Sequence, residues 1–365
     1  MKNRSLRPLR LAAALLLGAA PAGLPAWDYA GHRMVNQLAL ASLTAADPAH
    51  TDFPGFAFEP AAAERIAFLA GEPDRWRNVS DLPLQQYNAL DHYIDLEELD
   101  DAGLDYKEIS PLRYVFALQF ATGRAAHAAR FEPIDPSKNQ DHAREWCGFL
   151  PWAIREYYGK LKACFSYLKT FENYGGTPEE IANAEANAVY LMGLSGHYVG
   201  DGAQPLHETV HNNGWVGPNP EGYTTWMGIH AWIDGGFAAA AGITEASVLP
   251  RLAPAEAIST APRADARDPV FADVMDYLVD QQKLVVLLYE LQKAGKFEAG
   301  KGRPASPVGI AFVQGQLAKG GEMLAGVWLA AWREAVPDNY LRSQLALRGA
   351  SAAGAPAAAA PAAKP

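Results

Sequence analysis

The stretch GHYVGDGAQPLH, residues 196–207, sets two histidines and an aspartate within twelve residues of a chain that has nine histidines in all. On a helix His197 and Asp201 are four residues apart, so they share a face with Cβ atoms roughly 5–6 Å apart. Both side chains can then reach one metal ion. Pro205 disfavours continuing that helix, so His207 approaches from the next segment at its own angle. The spacing recurs in GIHAWIDGG, where His230 and Asp234 are again four apart. Imidazole and carboxylate at this density suit zinc. EPDRWR and DHYIDLE add Asp74, Asp91, His92 and Asp95. A histidine flanked by carboxylates serves either as a ligand or as an ion-paired surface group. His50, His127 and His142 lack such company and read as surface or structural residues.

The chain opens with a basic segment, MKNRSLRPLR, then a short apolar run, LAAALLLGAA, then PAGLPA. That order is expected of a secretory signal peptide, residues 1–26, cut after Ala26. The apolar run is too short to span a bilayer comfortably. The mature chain would begin WDYAGHRM, and Trp27 would carry a free α-amine. Its unperturbed pKa is about 8, so a metal can displace its proton. The amine nitrogen and the carbonyl oxygen of that residue form a five-membered chelate. His32, near the start of the first helix, could turn back to the same ion.

The set WDYAGH, PDRWR, HYID, HYVGDGAQPLH and HAWID, in that order, resembles the zinc-dependent single-strand nucleases of fungi and plants (the S-one/P-one or type I nucleases). That family is allied to bacterial zinc-dependent phospholipase C. The resemblance runs from Trp27 to Asp234 and implies an all-α fold with three zinc ions in one cleft. It implies a first zinc on Asp74, His92, His197 and Asp201, and a second on His207, His230 and Asp234. The third would take the Trp27 amine and carbonyl and His32, with Asp201 as a bridge. Asp74 would also orient the attacking water or accept its proton. Asp95 matches a substrate-binding position beside the nucleobase pocket. The implied reaction is hydrolysis of single-stranded DNA or RNA to 5′-phosphorylated products, with 3′-nucleotidase activity.

Three spacings favour the nuclease branch. Trp27 and His32 are five residues apart, the last ligand of the second zinc is Asp234 rather than a glutamate, and the gap from His207 to His230 is long. The alternative is a phospholipase C acting on phospholipid headgroups, which should show an apolar rim. The chain departs from the family pattern at Ala203, where a second histidine is common, and at Asp28, where glycine is common. The stretch between His92 and His197 is also much longer, an insertion around 96–177 that bears on substrate choice more than on metal binding. Trp215, Tyr223 and Trp226 lie between second-zinc ligands, where they could stack unpaired bases or pack the loop. HETVH, residues 207–211, matches the H-E-x-x-H pattern of zinc proteases. Pro205 before it and NNG after it leave barely one turn of helix, too little to show both histidines on one face.

The elements that must carry these residues read as helix. Segments 32–43, 61–70, 112–131, 154–171, 178–201, 274–294 and 309–335 carry apolar residues at three- and four-residue spacing. Pro178 with two glutamates behind it is a helix start. Alternating β-branched runs are scarce, so the expectation is one all-α domain over 27–345, followed by a disordered Ala/Pro tail, 346–365. Pro/Gly/Asn-rich connectors separate the helices at 132–141, 212–223 and 295–307. Apolar content of 49% is ordinary for a globular chain. The leader holds Lys2, Arg4, Arg7 and Arg10 and no acid, so its removal takes the formal charge from −10 to −14. Such a chain is not built for tight sequence-independent duplex binding, which needs many Lys/Arg–phosphate contacts. Cys147 and Cys164, the only cysteines of a chain expected to be periplasmic or secreted, suggest one disulfide. No other stretch is apolar enough to cross a membrane, and a monomer is expected.

Overall fold

The computed structural model describes residues 29–45, 52–300 and 302–354. In chain order the helices are α1 (Tyr29–Ala45), α2 (Pro60–Leu69), α3 (Glu72–Arg77), α4 (Leu82–Leu90), α5 (Leu96–Asp101), α6 (Arg113–Ala126), α7 (Leu150–Tyr174) and α8 (Pro178–Asp201). They continue as α9 (Ile229–Ala231), α10 (Phe237–Ala241), α11 (Glu245–Val248), α12 (Pro269–Gln282), α13 (Val285–Lys293), α14 (Pro307–Glu334) and α15 (Asn339–Gly354). Bridges between single residues occur, but no sheet forms among the described residues. The fold is all-α and forms a single helical domain.

Local signals set the helix starts. Thr177 and Glu180 close a reciprocal capping box with Pro178 at the first helical position, so α8 begins where the sequence placed it. Asp268 caps α12 by accepting from Phe271 N at 2.8 Å, and Arg155 of α7 grips the same carboxylate at 2.9 and 3.0 Å. Gly175, at φ 88°, ends α7 in the left-handed region. The periodic segment 274–294 is two helices, α12 and α13. A turn with Leu284 N donating to Gln281 O at 2.9 Å separates them.

Helix α8 packs against α1, α2, α7 and α14, and α1 also lies along α14. Every residue of α8 from Met192 to Asp201 is buried. A helix enclosed on all sides needs small residues where its neighbours cross. A methyl group at Gly193 would meet Leu69 Cβ of α2 at 2.5 Å, and one at Gly196 would lie 1.6 Å from Asn36 Oδ1 of α1. Asn36 cannot retreat, because its Nδ2 donates to Ile66 O at 2.7 Å and Gly193 O at 3.0 Å. This crossing brings His32 of α1 beside the last turn of α8.

Three expectations meet the structure here. Cys147 and Cys164 are free thiols, not a disulfide. Cys147 precedes α7 and Cys164 lies well along it. Leu150 to Cys164 rises about 21 Å along the α7 axis, and the two cysteines do not lie at disulfide distance. Their sulfurs instead face Gly148 O and Ala184 O. Residues 346–354 of the expected tail belong to α15, and residues 355–365 lie outside the described residues. The segment 96–177 contains α7, which packs on α8, α12, α14 and α15 as part of the core. The leader 1–26, Trp27 and His50 lie outside the described residues. Among those described, no helix is long and apolar enough to cross a membrane.

Two outcomes are expected. Gly196→Ala should destabilise the fold by about 3 kcal/mol, because Asn36 cannot move aside; urea unfolding measures it. Protein denatured without reductant should titrate two thiols per chain, and a chain two mass units lighter with no free thiol would contradict this arrangement.

Candidate metal centre

Six segments deliver the predicted ligands. His32 comes from the first turn of α1, Asp74 from α3, and His197 and Asp201 from the last turns of α8. His92 sits just past α4, where Arg113 of α6 holds the preceding Asp91 and also binds Glu156 of α7. His207 ends a single 3-10 turn, Pro205–His207, capped by Gln204. His230 lies on α9, and Asp234 in the π-turn Trp232–Gly236 that follows. The backbones of the His92 and His207 turns are joined directly, with Ile94 N donating to His207 O at 2.8 Å.

Three of the imidazoles use one nitrogen as an anchor. His197 Nδ1 is 2.7 Å from Ala70 O, His207 Nδ1 is 2.6 Å from His92 O, and His230 Nδ1 is 3.0 Å from Asn212 O. A backbone carbonyl accepts only, so each Nδ1 carries the proton and each Nε2 presents a lone pair to the centre. His92 turns its Nδ1 inward, 3.0 Å from Asp201 Oδ2 and 2.9 Å from His197 Nε2.

The inward atoms form three groups able to hold a metal ion: His92 with His197 and Asp201, His32 with Asp74 and His197, and His207 with His230 and Asp234. Tetrahedral zinc with ligands at about 2.0–2.1 Å sets its donors about 3.3 Å apart. The observed separations bracket that value. His197 Nε2 is 3.3 Å from Asp201 Oδ2 and 3.9 Å from Asp74 Oδ1. His230 Nε2 is 3.0 Å from both Asp234 Oδ2 and His207 Nε2. The Asp201 carboxylate faces two ways. Oδ2 looks at His92 and His197, while Oδ1 lies 3.5 Å from His32 Nε2 and 3.7 Å from His207 Nε2. The structure thus brings together every predicted metal ligand that it describes.

The electrostatics suit cations. Burial holds His32, His92 and His207 well below the usual imidazole range, and neighbouring imidazoles and Arg77 push the same way. Those rings are neutral at pH 7, with lone pairs ready. At His197 and His230 burial also pushes down, but Asp201 with Asp74, and Asp234, outweigh it and move them up. Burial pushes Asp201 up to about 6 against the pull of His197. Neither ring nitrogen of His32 and no donor at Asp201 Oδ1 completes a hydrogen bond. Buried polar atoms without partners are costly, and divalent cations would satisfy these.

The centre reaches solvent at two of its ligands. Asp74 and His230 keep 13% and 16% side-chain exposure, while the other described ligands are sealed. Arg77 lies beside the partly exposed Asp74, with Nη2 2.7 Å from Asp74 Oδ1. The sequence reading missed it, although its place three residues after Asp74 on one helix face was the available signal. It missed Gln204 too, whose Nε2 donates to Asp234 Oδ1 and whose Oε1 accepts from Leu206 N.

Beside the centre lies a cavity of about 740 Å³ bordered by Tyr93, Asp95, Glu98, Arg124, Trp146 and Asn213. Burial first, then Glu98 and Glu97, drives the Asp95 carboxyl well above the usual range. Of the three loop aromatics, Trp215 stacks on His211 at 3.8 Å and Tyr223 is buried with its hydroxyl on Glu290. Only Trp226 is exposed, at 52%. HETVH is a turn rather than a helix. His207 faces the centre while His211 packs on Trp215 and accepts from Val216 N. His127 packs against Gly103, and His142 pairs with Glu145 at the surface.

Stripping divalent metal should lower the unfolding free energy by about 2.7 kcal/mol relative to protein with free metal at about 100 times its Kd. Asp201→Asn should remove most of that difference and reduce the metal content measured by elemental analysis, because one carboxylate serves several groups. No family model, no curated protein and no solved structure matches the chain, so the chemistry of the site rests on its own geometry.

Proposed function

We propose that the protein is a zinc-dependent phosphodiesterase that hydrolyses single-stranded DNA and RNA to 5′-phosphorylated products. The observation that carries this reading is the double-facing Asp201 carboxylate, which joins three His/Asp donor groups into one centre. A single structural zinc needs four ligands and a closed site; eight side-chain donors around a cleft exceed that. Three zinc ions would divide these donors as the sequence resemblance implies, with Trp27 joining His32 on the third.

Zinc held here supplies Lewis acidity, bringing the pKa of water toward neutral and offsetting charge on a phosphoryl group. The chain's own residues do the rest. Arg77 donates from its planar guanidinium to a phosphate oxygen beside Asp74. Asp74 takes the proton of the attacking water at Oδ2, since Oδ1 already faces Arg77 and His197. Gln204 fixes Asp234, and the backbone carbonyls of Ala70, His92 and Asn212 fix three imidazoles, so the donors need no rearrangement during reaction.

One observation favours the second reading, a phospholipase C. Helix α4, which leads into His92, and α6, which brings Arg124 to the cavity, turn Leu82, Leu84, Tyr87, Tyr114 and Leu118 to solvent. Trp226 and Met227 are exposed as well, and Met227 borders the cavity. An apolar surface of this kind suits a lipid substrate.

Zinc per chain and cleavage of single-stranded DNA, RNA and a phosphatidylcholine analogue, with and without chelator, decide between the two. About three zincs with chelator-sensitive nucleic-acid cleavage is the expected result. Lipid cleavage alone would move the protein to the second reading, and one zinc or none would overturn both. Arg77→Ala should lower kcat/KM on single-stranded DNA by about a hundredfold with zinc content unchanged.

A further inference from the structure

Helix α6 is apolar on opposite faces. Its inner face seats Phe116 on Trp152, ring centroids 3.8 Å apart, and Phe120 beside Phe131 and Trp146. Its outer face carries Tyr114, Val115, Leu118, Ala121, Thr122 and Ala125, all exposed. Tyr114 is 88% exposed and Leu118 70%. The only charges on the helix are Arg113 and Arg124. Both pair with carboxylates of this chain, Arg113 with Asp91 and Glu156, and Arg124 with Glu98. A helix with apolar residues on opposite faces is ordinarily covered on both, yet α6 packs extensively against no other helix among the described residues. The bare face continues onto α4, where Leu82, Leu84 and Tyr87 are exposed. Burial and Asp91 raise the Tyr87 hydroxyl and Tyr114 pushes the same way, so Tyr87 and Tyr114 are neighbours. The exposed leucines, tyrosines and valine of the two helices present roughly 800 Å², which is what one partner gives to a standard protein interface and more than the largest apolar patch of an ordinary monomer.

We propose that this face is covered by a second copy of the chain, in a twofold dimer that sets α6 antiparallel to α6 about Leu118. A twofold interface must be complementary to itself. In the antiparallel register centred on Leu118, position 114 meets position 122 of the copy, and 115 meets 121. Tyr114 then lies over Thr122 and Val115 over Ala121, large against small, which is how facing helices interdigitate. A face without charge also meets its copy free of the like-charge repulsion that an acidic chain of formal charge −10 carries elsewhere. A lipid surface is the rival occupant. Helices that lie in one flank their apolar stripe with lysines and arginines, whereas the two arginines of α6 are already engaged by carboxylates. The dimer is independent of what the metal centre hydrolyses.

Sedimentation equilibrium of the purified protein at micromolar concentration should give twice the mass of one chain. Leu118→Glu and Tyr114→Glu should each raise the dissociation constant at least about thirtyfold, the effect of losing a central interface side chain. Both sites are exposed in the single chain, so the helical circular dichroism of the variants should be unchanged. Leu118→Cys supplies a readout that does not depend on weakening the dimer. Under mild oxidation it should form an interchain disulfide, because position 118 lies on the twofold axis. Ala125→Cys, two turns from the axis, should not, and neither should the unaltered protein with Cys147 and Cys164. A monomer throughout the micromolar range would overturn the proposal. So would a dimer that both glutamate variants retain, or a Leu118→Cys dimer that fails to cross-link. Flotation with phosphatidylcholine vesicles tests the rival: a monomer that floats, and that Leu118→Glu releases, would give the face to lipid and overturn the dimer.

Discussion

The structure depends on enclosing the last turns of α8 completely. A helix end that carries a histidine and an aspartate would ordinarily face water. Here α1, α2, α7 and α14 surround it, and the glycines at 193 and 196 permit the close crossings. Enclosure takes Asp201 out of water, and a buried carboxylate must find positive charge or hold a proton. The imidazoles of His32, His92, His197 and His207 converge on it, and most of them are themselves driven neutral by burial. What remains is a pocket of lone pairs around a carboxylate, which is an electrostatic description of a cation site.

The surrounding fold serves to make that pocket rigid. Each anchored imidazole is held by a carbonyl from a different segment, at Ala70, His92 and Asn212. Those segments are in turn tied to distant helices. Arg113 secures the His92 turn to α7 through Asp91 and Glu156, and the Tyr289 hydroxyl of α13 holds His211 O and Gly214 N in the loop that includes Asn212. Helices far from the centre therefore contribute to it by fixing carbonyls rather than by supplying ligands.

The centre reaches solvent at two of its ligands, Asp74 and His230. Arg77 also keeps some solvent exposure, and the cavity lined by Asp95, Glu98 and Arg124 meets the centre through Asn212, whose carbonyl anchors His230, and Tyr93, next to His92. Segment 96–177 supplies one wall of that cavity through Glu98, Arg124 and Trp146, and a core helix through α7. It cannot be removed as an ornament, because α7 packs along α8. One stretch of chain thus borders the cavity and builds part of the core.

Much of this was legible in the sequence, for a local reason. The 3.6-residue period fixes which residues share a face of a helix, so the pairing of His197 with Asp201 and the all-α class follow from spacing, whereas His230 meets Asp234 across a π-turn, Trp232–Gly236, that the period does not fix. The break at Pro205 and the failure of HETVH as a helix follow from backbone chemistry. The two-cysteine expectation failed in the fold, where Cys147 precedes α7, Cys164 lies inside it, and both thiols are free. What spacing cannot fix is contact between segments more than a hundred residues apart. The two-way facing of Asp201, the anchoring of His197 on Ala70 and the hydrogen bond of His92 to Asp201 were decided by tertiary packing. Those contacts depend on how whole helices cross, and a crossing is set by the summed shape of many side chains rather than by any one motif.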